Sequence, residues 1–135
     1  MKTPTKTTKR SVYNLNYHIV LVTKFRNKVL KDDIEAYVKN EVSKICAKYD
    51  WEVLALEVMP EHVHLFVSAP PTVAPVTINS TVKSILAVGI FKAFPTLKSK
   101  RFWGSGLWSD GTYYGSAGSM SAEIIKRYIE NQKTA

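Results

Sequence analysis

His62, Val63 and His64 form a His-x-His string inside an apolar run. On an extended backbone residues i and i+2 point to one face, so the two imidazoles project side by side while Val63, Leu65 and Val67 take the opposite, core-facing side. Such a pair can chelate one cation, or it can be two histidines packed and hydrogen-bonded in a sheet. A divalent ion held by two imidazoles still needs a third group, and the chain offers two sources. His18 would complete a three-histidine site of the zinc-hydrolase kind, although its companions Asn14 and Asn16 suggest a polar, hydrogen-bonding face instead. Tyr128 and Gln132 are four residues apart, one turn along a helix, and would present a phenol and an amide oxygen together. Tyr128 also shares its stripe with Ile124, Ile125 and Ile129, which fits a packed core residue.

Other chemistries find little footing. Only four aspartates occur, and Asp32, Asp33 and Asp50 sit at expected helix ends, which argues against an acidic two-metal nuclease. The phosphate-cradling G-x-x-x-x-G-K-[ST] string is missing, and Gly115 to Ser119 lacks the G-x-S-x-G order of a serine hydrolase elbow. The single cysteine, Cys46, excludes an intrachain disulfide and lies on an apolar helical stripe, as a packing residue would.

Charge points to a polyanion. The chain carries 19 Lys and Arg against 11 Asp and Glu, a formal net charge of +8, together with 3 Trp, 7 Tyr and 5 Phe. Rings that stack on bases and cations that hold phosphates are the two requirements of a single-strand binder. Lys24, Arg26, Lys28, Lys98, Lys100 and Arg101 are the expected nucleic-acid contacts. Without catalysis, the same composition would suit an RRM-like module with Tyr13, Tyr17, Trp103, Trp108 and Tyr113 as stacking rings.

The elements that must position these groups are legible from periodicity. At 135 residues, 45% apolar and 22% charged, the chain fits one globular domain. Residues 1–10 read as a flexible basic arm and 11–135 as the domain. Alternation from Ser11 to Phe25 predicts a strand, and helical spacing predicts a helix from Asp33 to Tyr49. Trp51 to Met59 and His62 to Ser68 predict an antiparallel pair around Pro60-Glu61, and Val76 to Phe94 a second helix ended by Pro95. Two short aromatic strands are expected around the glycines of 102–108, then a flexible linker from Gly115 to Ser119, then a terminal helix from Ser121 to Gln132. This order predicts an α+β fold, a single antiparallel sheet with a ferredoxin-like or RRM-like core. The polar start carries no apolar leader, and the run from Ile85 to Phe91 is far short of the roughly 20 residues that span a bilayer, so a cytoplasmic protein with no membrane partner is expected.

The strings Tyr17-His18-Ile19-Val20-Leu21-Val22-Thr23-Lys24-Phe25-Arg26, Met59-Pro60-Glu61-His62-Val63-His64-Leu65-Phe66 and Lys126-Arg127-Tyr128-Ile129-Glu130-Asn131-Gln132 together resemble the single-tyrosine HUH transposases of the smallest insertion sequences. The likeness runs from Tyr13 to near the end of the chain. It implies a dimeric enzyme that cuts and rejoins hairpin-bearing single-stranded DNA through a 5′-phosphotyrosine bond. By position it implies Tyr128 as nucleophile, His62, His64 and Gln132 as metal ligands, and Mg²⁺ or Mn²⁺ as the ion. By softness the ligands themselves suit Mn²⁺ or Zn²⁺. It also implies a homodimer whose composite active sites pair Tyr128 of one chain with His62 and His64 of the other. The sequence departs from the family in its apolar middle helix and in Leu21, where an aromatic is frequent.

Overall fold

The computed structural model describes residues 5–7 and 12–116. Chain order begins with two short strands, β1 (Lys6–Thr7) and β2 (Val12–Tyr13), which pair with each other. The body follows as β3 (Asn16–Thr23), α1 (Asp33–Lys48), β4 (Glu52–Met59), β5 (His62–Ser68), α2 (Pro75–Ala93), α3 (Leu97–Phe102) and β6 (Trp108–Ser116). The four long strands form one sheet in the order β4-β5-β3-β6, with every neighbour antiparallel. With α1 and α2 as the connections, this is the ferredoxin-like arrangement expected from the sequence.

The two-residue period of the strands sorts the sheet into two faces. Ile19, Leu21, Val58, Val63, Leu65 and Val67 enter the core with Val38, Val42, Ile45 and Cys46 of α1 and Ile78, Val82, Leu86 and Ile90 of α2. The helices therefore cover one face, and the histidines fall on the other. α2 opens on Pro75, at a position where a missing N–H costs nothing. Gly89, which counts against a helix by propensity, has a packing reason: a Cβ there would overlap the Tyr37 phenol of α1. By length and composition α2 could cross a membrane, but its buried stripe packs in this core.

Four expectations need correction. The strand drawn from Ser11 to Phe25 is broken between Tyr13 and Asn16, where β2 turns away to pair with β1. Lys6, placed in a loose arm, is tied to the body: its ammonium donates to Glu52 Oε1 at 3.0 Å and Ser68 Oγ at 2.9 Å. Phe102, expected in an aromatic strand, instead ends α3 and is buried with its ring centroid 5.8 Å from that of Phe91. The glycine after it closes the helix. Trp103 is left-handed at φ 48°, Gly104 follows at φ 80°, and the Gly104 N–H donates to Lys98 O at 3.0 Å. Lastly, Gly115 and Ser116 belong to β6, since pairing with His18 and Tyr17 satisfies their backbone. Residues 117–119 of the expected linker and the terminal helix from Ser121 to Gln132 lie outside the described residues.

Cys46 is buried on α1, and burial pushes its thiol up to about 11. The thiolate is the reactive species, so at pH 8 the folded chain should resist a disulfide-exchange reagent such as DTNB. Unfolding in guanidinium should release one reactive thiol per chain, read as absorbance of the liberated thiolate.

Candidate active site

Strand β5 fixes the site. With Val63, Leu65 and Val67 in the core, His62, His64 and Phe66 must face the side away from the helices. Register supplies their neighbours: His64 stands opposite Val20 of β3 and Glu57 of β4, while His18 stands opposite Phe66 and Gly115. His18 is thus diagonal to His64, within reach of a ring across the ladder. Its own ring stacks on Phe66, with centroids 4.1 Å apart and planes 9° from parallel, and meets the edge of Tyr113 at 5.5 Å. Gly115 leaves room for the Tyr113 phenol, which a Cβ at that position would strike.

The three rings form a line of hydrogen-bonding contacts. His62 Nε2 lies 3.1 Å from His64 Nε2, His64 Nδ1 lies 3.0 Å from His18 Nε2, and His62 Nδ1 lies 2.8 Å from Glu61 Oε1. A carboxylate only accepts, so His62 Nδ1 is the donor in its contact with Glu61. His64 is only 8% exposed; burial, and then the positive charge His62 and His18 would bring, hold its pKa down at about 4 against a smaller opposing pull from Glu57. Burial also lowers that of His18. Both rings are therefore neutral near pH 7 and keep a lone pair.

This geometry suits a cation shared by His62 and His64. Two nitrogens each about 2.1 Å from one ion and at right angles to each other stand about 3 Å apart, close to the observed separation. For both Nε2 lone pairs to face one ion, His64 must hold its proton on Nδ1, where His18 Nε2 is the acceptor. A three-histidine site is a different matter, because His18 and His62 meet opposite nitrogens of His64. No single ion touches all three rings in this arrangement, and among the described residues no group of three or more His, Cys, Asp or Glu side chains is arranged to hold a metal. Tyr128 and Gln132 lie outside the described residues.

The expected DNA contacts gather on two joined segments. Lys24 and Arg26 belong to the 3-10 turn Lys24–Arg26 that ends β3, with Lys28 just beyond, and Lys98, Lys100 and Arg101 lie on α3. The side-chain amide of Asn27 donates to the backbone oxygen of Arg101 and links the two. Thr23 N–H donates to Glu61 O at 3.0 Å, which sets this basic corner at the His62 end of the sheet. Of the rings expected to stack bases, Trp108 is excluded: it is buried, and its indole N–H donates to Lys83 O at 3.1 Å. Trp103 and Tyr113 are exposed.

Two contacts were not assigned from sequence. Glu61 directly precedes His62, so a carboxylate partner for that ring was visible as adjacency. The His18 contact depends on the β3–β5 register, which no local pattern encodes.

Relatives share this framework. The ISDra2 transposase TnpA of Deinococcus radiodurans is 36% identical over 121 residues, 90% of this chain and 86% of its own length. A solved structure from Deinococcus radiodurans R1, of a protein assigned as a transposase, superposes with a TM-score of 0.77 at 35% identity, covering 94% of this chain and 97% of that one. A REP-associated tyrosine transposase bound to a REP hairpin shares the fold at a TM-score of 0.57 and 13% identity, over 92% of this chain and 68% of that one. The family model for IS200-like transposases matches residues 11–132, a span that includes the three histidines, the basic corner, Tyr128 and Gln132. On that match and the ISDra2 identity, the chain belongs to the IS200-like transposase family.

Proposed function

We propose that this transposase cuts and rejoins single-stranded DNA at the ends of its insertion sequence through a covalent 5′-phosphotyrosine on Tyr128, with a divalent ion, Mg²⁺ or Mn²⁺, held by His62, His64 and Gln132. The observation that carries this reading is the pair of imidazoles whose Nε2 atoms converge to 3.1 Å on the open face of the sheet. When bound, the ion would stabilise charge on the non-bridging oxygens of the scissile phosphate. Three neutral ligands would leave its charge undiminished. The Tyr128 oxygen forms a bond to phosphorus as the bond from phosphorus to the 3′-oxygen breaks. The phenol loses its proton, the departing 3′-oxygen gains one, and a free 3′-OH remains. A 3′-OH can later attack the phosphotyrosine and reverse the step, so no nucleotide hydrolysis is needed.

The hairpin bound by the REP-associated neighbour supports DNA ends that fold into hairpins as the substrate. We extend the reading to a homodimer with composite sites, Tyr128 of one chain acting beside His62 and His64 of the other. The full chain, incubated with labelled single strands from the element's ends and Mn²⁺, should give an adduct that survives denaturation and disappears with EDTA. Cleavage without an adduct, or an adduct indifferent to EDTA, would overturn the proposal.

His18 gives a smaller, separate effect. As the acceptor for His64 Nδ1–H, it orients a ligand without touching the ion, and losing such a partner costs about 10- to 100-fold in metal affinity. His18→Ala should weaken Mn²⁺ binding by that order in calorimetric titration, and His18→Gln, which keeps an acceptor, should recover part of it. Equal affinities in all three chains would show that the contact is only packing.

A further inference from the structure

The turn that ends β3 and the end of α3 hold two large rings in solvent. Phe25 is 57% and Trp103 74% exposed, and they meet edge to face with centroids 5.1 Å apart. Their backbone is costly. Phe25, Arg26 and Trp103 all lie in the left-handed region, at φ 61°, 50° and 48°, which bulky residues rarely adopt. Such strain persists only where the surroundings impose it. Here Lys24 N–H donates to Leu107 O at 2.8 Å, Asn27 to the Arg101 carbonyl and Gly104 to Lys98 O, so both rings are held in place from their flanks.

The setting identifies an occupant. Lys24 and Arg26 flank Phe25 in the chain and Arg101 lies two residues before Trp103, with the Lys24 ammonium 5.8 Å from the Phe25 centroid. Asp32 and Asp33 share a groove with Lys28 and Arg101 but leave the corner strongly basic. An apolar protein partner would have to desolvate these cations; an unpaired nucleotide satisfies rings and cations at once, its base stacked and its phosphates paired. The position also fits: Thr23, two residues before Phe25, is hydrogen-bonded to Glu61, the residue next to His62.

We infer that Phe25 and Trp103 form a stacking corner that holds one unpaired DNA base beside the histidine pair, with Lys24, Arg26 and Arg101 on the adjoining phosphates. The inference rests on the single-strand reading above and adds to it the place where a strand is gripped next to the chemistry.

Binding of labelled oligo(dT) to the full chain tests it without requiring cleavage. Trp51 and Trp108 are buried, so quenching of tryptophan emission by DNA reports chiefly on Trp103. Oligo(dT) should quench the unaltered protein, and Trp103→Leu should weaken binding by about 5- to 100-fold. The dependence on salt should not change, because no phosphate contact is lost; Arg26→Ala should flatten it. An abasic strand should bind the unaltered protein no better than oligo(dT) binds the variant, a control that leaves the protein intact. Phe25→Leu, with a side chain no easier to hold at φ 61°, should give a smaller loss of the same kind.

Equal binding by Trp103→Leu and the unaltered chain, or no discrimination between intact and abasic strands, would overturn the stacking corner and leave the single-strand reading standing. Failure of the unaltered protein to bind either strand would overturn both. If Trp103→Leu keeps its affinity but dissociates in sedimentation, the face joins two copies of the chain and the inference is wrong.

Discussion

A Tyr128→Phe chain is expected to form no covalent adduct with single-stranded DNA while binding it as tightly as the unaltered chain. The substitution removes one oxygen and keeps the ring, so it deletes the proposed nucleophile with little change in shape. Phenylalanine has no group that can form a bond to phosphorus, and the expected loss is complete down to the uncatalysed background. Denaturing gel analysis of a labelled strand reads the adduct, and anisotropy reads the binding. An adduct that survives would assign the nucleophile elsewhere; adduct and binding lost together would point to a structural role for the ring. The same variant tests composite sites. Mixed with a His64→Ala chain, it should regain adduct formation in verified heterodimers, because one site then combines an intact tyrosine with an intact histidine pair. Heterodimers without activity would exclude the exchange.

What the sequence made legible follows from the range of the forces involved. His62 to Ser68 could be bounded because alternation with a fully apolar partner face is a local pattern. α1 was readable to within a residue at its end because the buried stripe of Val38, Val42, Ile45 and Cys46 repeats at helical spacing. Local composition misled at 102–108, where aromatics and glycines resemble a hairpin. Burial of Phe102 against Phe91 and a left-handed Trp103 turned the segment into a helix end instead. The site divides along the same line. The shared face of His62 and His64 is a property of one strand. The pairing of His64 with His18, 46 residues away, depends on which residue of β3 stands opposite which residue of β5. Both histidines were visible, but the register that brings His18 to His64 was not. Nor could spacing show that Trp108 would bury its indole against α2 while Trp103 stayed in solvent.

His64→Ala is expected to do more damage than any other substitution on the open face of the sheet. His64 is the middle ring of the line, so its loss removes one proposed donor to the ion and also the group that joins His62 to His18. Losing a ligand should exceed the about 10- to 100-fold in metal affinity that loss of an orienting partner costs, and adduct formation should fall to background. A second effect follows from burial. His62 Nε2 and His18 Nε2 each lose a partner in a partly enclosed place, and unsatisfied polar groups of this kind cost about 1–3 kcal/mol, read as a lower unfolding temperature. His62→Ala separates the two effects. His62 is the more exposed ring and sits at the end of the line beside Glu61, so its removal deletes a proposed ligand but leaves the His64–His18 contact intact. It should abolish Mn²⁺ binding and adduct formation with a smaller change in stability. If His62→Ala keeps full metal affinity while His64→Ala loses it, the two imidazoles do not share an ion, and the 3.1 Å approach of their Nε2 atoms is a hydrogen bond of the sheet face and nothing more.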